Sequence, residues 1–505
     1  MSAHLVSLPV LIPLAMAALL IALSVERLPA QRALSIASCV AQLAVAAALL
    51  ASSTSGEVHV YSLGGWPAPF GIVLVADRLA ALMLTLTAIV AIAAVAYAAG
   101  GWDARGRYFH PIIQFQLAGL NGAFLTGDLF NLFVFFEILL IASYCLLVHG
   151  LGAARLRAAL HYVVVNLAAS ALFLVAVSLL YGVTGTLNMA DLAVRVAEAQ
   201  PLNFAPIASA ALLLLVVFGV KAAAFPLYFW LPGAYAAAAA PVAALFAIMT
   251  KVGIYAIIRV HGQVFGPDAG LLSLVAAPWL VPVALATIVL GVLGAVAART
   301  LTGLVAYLTV ASAGTTLAAV GLLTAEGLSA AIFYMAQSTL AIAAFFLLVE
   351  LIVAQRGDAE DTLEVGRPMA QSALLGALFL VAGMTAVGMP PFAGFLGKLM
   401  ILQAARETAA GAWIWIALLG TGLAALVSVA RAGSAVFWRV LPGSPAGAIA
   451  RPVALVPAVA LAAVGVAMVA FAAPLKSFAD AAAAQILDRG AYVEAILGPP
   501  QGVRQ

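Results

Sequence analysis

Charged residues are scarce in this sequence. Only 8% of its 505 residues are Asp, Glu, Lys or Arg, whereas 66% are hydrophobic, and the mean hydropathy is +1.18. In soluble domains about a quarter of the residues are charged. This composition therefore excludes a soluble domain and indicates a polytopic membrane protein. The net charge of +3 is spread thinly. The sequence contains no cluster of basic residues interleaved with aromatic residues, so nothing in it indicates nucleic-acid binding.

Cysteines and catalytic motifs are equally rare. The two cysteines, Cys39 and Cys145, fall in different predicted helices, which argues against a disulfide or a thiolate metal site. The sequence contains no Walker-type or dinucleotide-binding glycine loop, no Ser/His/Asp set, and no His pair at haem or metal spacing. We therefore expect no catalytic residue, no metal and no cofactor. The N-terminus lacks the basic start of a cleaved signal, so we expect the first apolar run to remain as a helix.

Long apolar runs recur along the whole chain. A spanning helix needs about 20 such residues, and the runs predict an all-α polytopic membrane protein with about 14 transmembrane helices. Predicted helices 1 to 14 cover about residues 5–25, 33–51, 77–99, 111–127, 128–149, 158–183, 205 onward with interruptions, 241–260, 278–298, 301–323, 328–354, 371–402, 411–438 and 453–473. Between them, residues 56–77 predict an extramembrane hairpin and residues 184–200 a short surface helix.

The predicted helices form three regions, of which the middle one is internally repeated. Residues 1–110 hold helices 1–3 with the hairpin, residues 111–438 hold helices 4–8 and 9–13, and residues 439–505 hold helix 14 and a tail. In each group of five, the fourth helix is broken by proline: at Pro226 in helix 7, and at Pro390 and Pro391 in helix 12. Because each group has an odd number of spans, the second group crosses the membrane in the opposite orientation to the first. Paired broken helices are typical of a transport site near the middle of the membrane.

Lysine is unusually rare and unusually placed. Only four of the 22 basic residues are lysines, and Lys221, Lys251 and Lys398 lie inside predicted helices 7, 8 and 12. Arginine stays charged in proteins, whereas a buried lysine loses its proton readily. Burying a charged lysine at a helix centre costs about 2.5–3.5 kcal/mol, so we interpret the three as proton carriers. The alternative for Lys221 and Lys251 is that they snorkel to the headgroups.

Glu137 is the matching acid. It lies nine residues beyond Asp128 in predicted helix 5, which places it about 13 Å along the helix axis, near the middle of the bilayer. An alternative role is that of a structural counter-ion for one lysine. We expect Asp128 and Asn131 to cap and hydrate the start of the helix. His161, near the beginning of helix 6, is a possible relay, with an interfacial position as the alternative.

Arginines are concentrated in the loops on one side of the predicted membrane domain. The loops after odd-numbered helices contain Arg27, Arg32, Arg105, Arg107, Arg155, Arg157, Arg299, Arg356, Arg367, Arg439 and Arg451. The loops on the opposite side contain mainly Arg78, Arg195, Arg259 and Arg406. Because cytoplasmic loops carry the excess of basic residues, we expect both termini to lie outside the cytoplasm.

Four segments carry a resemblance to a known family. They are GLNGAFLTGDLFNLFVFFEILLIASY, LYGVTGTLNMADLA, PVAALFAIMTKVGIYAI and MPPFAGFLGKL. Together with the rest of the chain they resemble the D subunits of multisubunit Mrp-type (Pha, Mnh) monovalent cation/proton antiporters, which are similar to the antiporter-like proton-pumping subunits of respiratory complex I. The resemblance implies that Glu137, Lys221, Lys251 and Lys398 correspond to the family's central acid and lysine chain. It also implies partner subunits in a hetero-oligomer, exchange of protons for Na⁺ or K⁺, and a bacterial inner membrane.

The sequence departs from this family at the expected relay. Relatives often have a histidine in helix 7 where this chain has Tyr228, and a histidine and a lysine in helix 11 where it has Gln337 and Ile342. Water or hydroxyl groups are then needed between Lys251 and Lys398. The hydroxyl groups that we consider for this bridge belong to Tyr307, Thr315 and Ser338. Tyr228, Tyr307 and Gln337 are, with His161, the possible relay residues.

Three functions are compatible with the sequence. The first is the proton-conducting subunit of a cation/proton antiporter. The second is a proton-pumping subunit of a respiratory NADH:quinone oxidoreductase or a membrane-bound hydrogenase. The third is a scaffold subunit whose charges are vestigial. The first two share a fold and a charge chain, so the genes beside this one would distinguish them.

Overall fold

The computed structural model describes residues 3–23, 26–445 and 449–498. The predicted end of helix 1 at Val25 lies outside these residues. Within them the chain forms helices and one two-stranded sheet. The α-helices are α1 (Leu8–Ala22), α2 (Leu28–Ser53), α3 (Arg78–Ala98), α4 (Phe109–Leu125), α5 (Leu129–Leu147), α6 (Ala153–Thr184), α7 (Met189–Ala197), α8 (Phe204–Lys221), α9 (Trp230–Ala237), α10 (Ala240–Phe246), α11 (Met249–Ile257), α12 (Ala277–Ala297), α13 (Leu301–Val320), α14 (Ala325–Val353), α15 (Ser372–Val387), α16 (Ala393–Ala405), α17 (Gly411–Gly433), α18 (Pro452–Ala470), α19 (Ala472–Leu487) and α20 (Arg489–Leu497).

The predicted all-α membrane fold is confirmed. By length and composition, 11 helical segments of the described chain are apolar enough to cross a membrane, and α1, α15 and α16 are shorter apolar helices. Each predicted helix has a helical counterpart: helix 7 corresponds to α8 and α9, helix 8 to α10 and α11, and helix 12 to α15 and α16. Helix 8 was expected to be continuous, and the break between α10 and α11 is a difference from the sequence prediction. The described part of the tail, which had no predicted structure, forms α19 and α20.

Close contacts between backbones position the second group of helices. At Gly291 in α12, an added Cβ atom would lie 2.6 Å from the amide nitrogen of Ala311 in α13. At Gly314 in α13, it would lie 2.7 Å from the amide nitrogen of Ile288 in α12. Small residues allow helix backbones to approach in a membrane, where packing replaces the hydrophobic effect. Beside this pair runs α14, whose 29 residues are almost all buried.

One side of the membrane domain carries folded connections, and we call it the hairpin face. There β1 (His59–Ser62) and β2 (Val73–Ala76) pair antiparallel, as the sequence predicts, and α7 confirms the expected short helix. The last helices cover the same face. Ser329 at the start of α14 donates a hydrogen bond to Asp480 of α19 at 2.6 Å, and the Arg78 amide at the start of α3 donates one to Gln485 at 3.1 Å.

The opposite side, which we call the arginine face, is braced by a buried acid. Asp103, which is 2% exposed, accepts hydrogen bonds from Arg32 Nε at 2.6 Å and Nη2 at 2.8 Å. His110 Nε2 lies 3.2 Å from the same carboxylate. Burial alone would raise the pKa of Asp103, but the hydrogen bonds from Arg32 and His110 outweigh it and lower the pKa to about 2.

The substitution Asp103→Asn is expected to lower the unfolding temperature of the protein in detergent, because it leaves Arg32 without its ion-pair partner. Since the folded pKa lies below the ordinary value of 3.8, the stabilisation is complete only above about pH 5 and is lost progressively as the pH falls to about 1. We expect the substitution to lower the free energy of unfolding by about 1–2 kcal/mol at pH 7. Asp358→Asn, in an exposed loop of the same face, is the control. Equal unfolding temperatures for the two variants at pH 7 would contradict this account.

Candidate functional site

Lys221 is the last residue of α8, at the first helix break. Residues 222–229, which include Pro226, separate α8 from α9. Backbone groups freed by the break find partners inside the protein: Trp230 Nε1 donates to the Val220 carbonyl at 3.0 Å, and the Phe225 amide donates to Thr287 Oγ1 at 2.8 Å. Unsatisfied backbone groups are costly in a bilayer. Hydrogen bonds within the protein therefore stabilise the break. The break leaves Lys221 at the end of a helix in the protein interior, 7% exposed.

Lys398 faces the second proline break. Pro390 and Pro391 lie in the turn between α15 and α16. Lys398 Nζ donates a hydrogen bond to the carbonyl of Val387, the last residue of α15, at 2.7 Å. This carbonyl is one of those that the break removes from the helical pattern. The lysine thus binds back to the break that precedes it, and the break supplies its hydrogen-bond acceptor.

Lys251 lies at a third break, which the sequence analysis did not predict. Residues 247–248 interrupt the helix between α10 and α11, and the freed carbonyl of Phe246 accepts a hydrogen bond from the Tyr235 hydroxyl at 2.7 Å. Lys251, fully buried in the first turn of α11, donates to Ser312 Oγ in α13 at 3.2 Å. All three interior lysines therefore lie beside a helix break.

The breaks at Lys221 and Lys251 pack directly on each other. Gly253 of α11 lies against the end of α8, where an added Cβ atom would come within 2.8 Å of the Lys221 carbonyl carbon. Only a residue without a side chain permits this approach. The contact brings the two lysine-bearing helix ends together near the middle of the domain.

Two side chains of α6 connect Glu137 to Lys221. Ser170 Oγ donates a hydrogen bond to Glu137 Oε1 at 2.5 Å. Lys221 Nζ donates to Asn166 Oδ1 at 3.2 Å and lies 3.4 Å from the Asn166 carbonyl. Asn166 and Ser170 are four residues apart and so share one helix face. Sequence analysis missed both, although polar residues spaced by four in an apolar helix are a readable signal.

Glu137 and Lys221 interact without touching. Among the described residues, Glu137 takes part in no ion pair, yet it is close enough for its charge to act on Lys221. Glu137 is half-buried on α5. Charges that do not touch still interact in a low-dielectric interior. Ser170 contacts the carboxylate and Asn166 contacts the ammonium, both from α6.

Hydroxyl groups occupy the region between Lys251 and Lys398. Ser312, which binds Lys251, precedes Thr315 by three residues on α13. The Thr315 hydroxyl donates to the Ala311 carbonyl at 2.9 Å and lies near the Tyr334 hydroxyl of α14. Tyr334 packs on Gly397 beside Lys398, where an added Cβ atom would lie 2.9 Å from the tyrosine ring. Thr315 was predicted from the sequence as a bridging hydroxyl, and Tyr334 was not.

The remaining predicted relay residues differ in burial and in hydrogen-bond partners. Gln337 of α14 is 1% exposed, and neither its amide oxygen nor its amide nitrogen has a hydrogen-bond partner among the described residues. Ser338 donates only to its own helix, at the Met335 carbonyl. Tyr228 and Tyr307 are half-buried and close to each other. The remaining relay candidate, His161, is exposed on the outer side of α6.

The cap expected at the start of α5 is present. Asp128 accepts a hydrogen bond from the Asn131 amide at 2.8 Å, which satisfies one of the free amides of the first turn. Burial raises the pKa of Asp128, and its backbone hydrogen bonds only partly offset this effect. Cys39 is buried, Cys145 is exposed, and both are free thiols.

These features define a membrane protein of many spans with ionisable residues at three helix breaks. Residues 126–426 match the family described as NADH:quinone oxidoreductase/Mrp antiporter, TM. The chain belongs to this family. The matched region begins just before α5 and ends within α17, so it contains Glu137 and all three interior lysines.

Relatives of known description cover the full length of the chain. It is 42% identical to the D subunit of a probable K⁺/H⁺ antiporter of Rhizobium meliloti over 99% of both chains. It is 37% identical to the D subunit of a Na⁺/H⁺ antiporter of Alkalihalophilus pseudofirmus, over 98% of this chain and 99% of that one. A chain of the Mrp complex from Dietzia sp. is similar in structure, with a TM-score of 0.88, 30% identity and coverage of 99% and 100%. A chain of respiratory complex I from Thermus thermophilus is also similar in structure, with a TM-score of 0.78 and 25% identity. The similarity covers 95% of this chain and 99% of that one.

Proposed function

We propose that this chain is the proton-translocating subunit of a multisubunit monovalent cation/proton antiporter that exchanges Na⁺ or K⁺ for protons. The observation that carries the proposal is the placement of Lys221, Lys251 and Lys398 beside helix breaks in an otherwise apolar interior. The full-length similarity to the D subunits of antiporters supports it over membership in a redox-driven complex. The chain is then a secondary-transporter subunit and has no enzymatic reaction of its own.

The proton moves along side chains that can bind and release it. We place Glu137 at one end, where a neutral carboxyl group forms when it takes up a proton. The proton continues through Ser170, Asn166 and associated water to Lys221, then to Lys251, and through the hydroxyl groups of α13 and α14 to Lys398. Lysine suits this role because burial makes its ammonium group ready to release a proton. Helix breaks suit it because they expose carbonyl groups that bind water and ammonium.

The metal cation crosses elsewhere in the complex. Na⁺ and K⁺ bind best to several oxygen ligands, but the proposed proton path offers the carboxylate of Glu137 against three lysines. A cation in this interior would be repelled by any lysine that is charged. The function therefore depends on partner subunits, with which this chain forms a hetero-oligomer.

We also propose an orientation in the bacterial inner membrane. The arginine face contains most of the loop arginines, including Arg105, Arg299 and Arg439, and such loops remain in the cytoplasm. The hairpin face, with the β1–β2 hairpin, α7, α19 and α20, is then on the outside together with both termini.

Reconstitution tests the proposed function. Vesicles that contain the whole complex should show collapse of an imposed pH gradient on addition of Na⁺ or K⁺. Vesicles that contain this chain alone, at equal amount, should show no cation-dependent proton flux, since the cation site belongs to partner subunits. A complex that moves protons only when a quinone or another redox substrate turns over would favour the redox alternative. Robust exchange by the single chain would overturn the assignment of the cation path to the partners.

A further inference from the structure

Four polar side chains form a column along α11 and its π-helical continuation, Ile258–Val264. The sequence KVGIYAIIRVHGQ places them four residues apart, which puts them on one side of the helix. All are buried: Lys251 is 0% exposed, Tyr255 2%, Arg259 3% and Gln263 3%. At the helical rise, Arg259 lies about 12 Å from Lys251 along the axis. The column therefore leads from the middle of the membrane domain towards the hairpin face.

Arg259 holds an acid at the outer end of this column. It was expected in a short loop, but its guanidinium is buried and donates Nη1 to Asp77 Oδ2 and Nη2 to Asp77 Oδ1, both at 2.5 Å. Its Nε donates to the Tyr255 hydroxyl at 2.9 Å, and Nη1 also lies 3.4 Å from Gln263 Oε1. The Tyr255 hydroxyl in turn donates to the carbonyl of Phe124 at 2.5 Å. The polar groups from Tyr255 to Asp77 are thus joined by direct hydrogen bonds.

Asp77 also borders a pocket at the hairpin face. The pocket has a volume of about 330 Å³ and is lined by both Asp77 and Arg78 from the start of α3, and by Gln485, Asp488 and Tyr492 from the last two helices. Asp488 is exposed, so the pocket reaches the surface, whereas Asp77 is 1% exposed at its inner end. A pocket of this size, with several polar side chains in its wall, has room for several water molecules.

We propose that this column is a gated proton branch that connects Lys251 with the solution at the hairpin face, with the Asp77–Arg259 pair as its gate. When the branch conducts outward, the Lys251 ammonium releases a proton and becomes a neutral amine. The proton passes by water along Tyr255 to the Asp77 carboxylate, which becomes a neutral carboxyl group and then releases the proton into the pocket. The reverse sequence carries a proton inward. This inference rests on the proposed proton-translocating function and adds a route to it.

The hydrogen-bond pattern explains how such a gate closes and opens. Both oxygens of Asp77 accept hydrogen bonds from Arg259, and Oδ1 also accepts one from the Ala80 amide. A proton that arrives at this carboxylate would break an ion pair in low dielectric. Tyr255 and Gln263, on the same helix as Arg259, already accept hydrogen bonds from the same guanidinium. The guanidinium can therefore turn from Asp77 without becoming unpaired, and arginine itself does not release its proton. Thr250, next to Lys251, has a buried hydroxyl whose oxygen has no partner in the part of the chain that the structure describes, which is typical of a group bound to water.

Removal of one hydroxyl tests the route. Tyr255→Phe is expected to slow cation-dependent proton flux of the assembled complex about 10-fold or more, because the water chain loses a group that can donate and accept. Tyr97→Phe is the matched control: Tyr97 is a buried tyrosine of α3, 3% exposed, outside the column. We expect normal flux in this variant at equal abundance. Normal flux in both variants, or an equal loss in both, would overturn the branch.

Thiol accessibility tests the same branch independently of transport. In a complex carrying Cys39→Ser and Cys145→Ser, a thiol at Tyr255→Cys should react with a small, charged, membrane-impermeant methanethiosulfonate added on the hairpin face. Ala256→Cys, on the adjacent buried position of the same helix, should not react. Adding Asp77→Asn should speed labelling of Tyr255→Cys several-fold, since the gate loses its charge. Labelling of Tyr255→Cys no faster than of Ala256→Cys, with or without Asp77→Asn, would show that the column is a structural brace, even if the complex transports protons.

Discussion

Complexes that carry Glu137→Gln or Lys221→Ala are expected to lose antiport while they still assemble. Each substitution removes one end of the connection Glu137–Ser170–Asn166–Lys221. A glutamine at position 137 still accepts the hydrogen bond from Ser170 but cannot take up a proton. An alanine at position 221 removes the proton carrier from the α8 break. We expect residual cation-dependent flux below about a tenth of that of the unmodified complex, measured as collapse of a pH gradient in vesicles.

Three further variants, two of them controls, separate this effect from general damage. Glu326→Gln changes an exposed acid in the first turn of α14 and should leave antiport unchanged. Ser170→Ala removes the hydroxyl that binds Glu137, whereas Ser178→Ala removes one on the same helix that binds only the Leu174 carbonyl. We expect partial loss in the first and none in the second. Near-normal exchange by Glu137→Gln and Lys221→Ala at equal expression would refute the proposed chain.

The fold was accessible from the sequence because a bilayer constrains it strongly. Spanning segments need long apolar runs, and proline pairs mark breaks that a helix cannot hide. The α10–α11 break escaped prediction because no proline lies at residues 247–248. Its backbone groups are satisfied by a tertiary contact, the hydrogen bond from Tyr235 to Phe246, and a single sequence does not reveal such a contact. The helices α19 and α20 escaped because a short, moderately polar helix is stabilised by what it packs on.

The candidate site was accessible only in part. Lys221, Lys251 and Lys398 stand out because a charge inside an apolar run is costly. Their connections do not stand out in the same way, since Asn166, Ser170 and Tyr334 are ordinary residues whose role depends on which helices meet. Their spacing gives a usable signal in two places. Polar residues recur at intervals of four in α6 and again in α11, and in a fully apolar environment such a stripe must face protein or water.

Arg259 shows why position along a helix is a weak guide to burial. It was placed in a loop because it comes near the end of an apolar run. In the structure the helix continues through Val264, and the arginine is buried against Asp77, 182 residues away in sequence. A long-range ion pair of this kind becomes visible only when the topology brings the start of α3 and the end of α11 to the same face.

The most direct test of proton movement along the buried lysines is the cation-dependent proton flux of a complex with Lys251→Met, compared with Lys476→Met. Lys251 is fully buried at the central break, and methionine keeps much of its volume without an ionisable group. Lys476 is the fourth lysine of the chain, exposed on α19 and paired with Asp480 at 2.7 Å. We predict that Lys251→Met abolishes collapse of the pH gradient, whereas Lys476→Met leaves it normal. Normal collapse in the Lys251→Met complex, at equal abundance, would contradict a proton path through this chain.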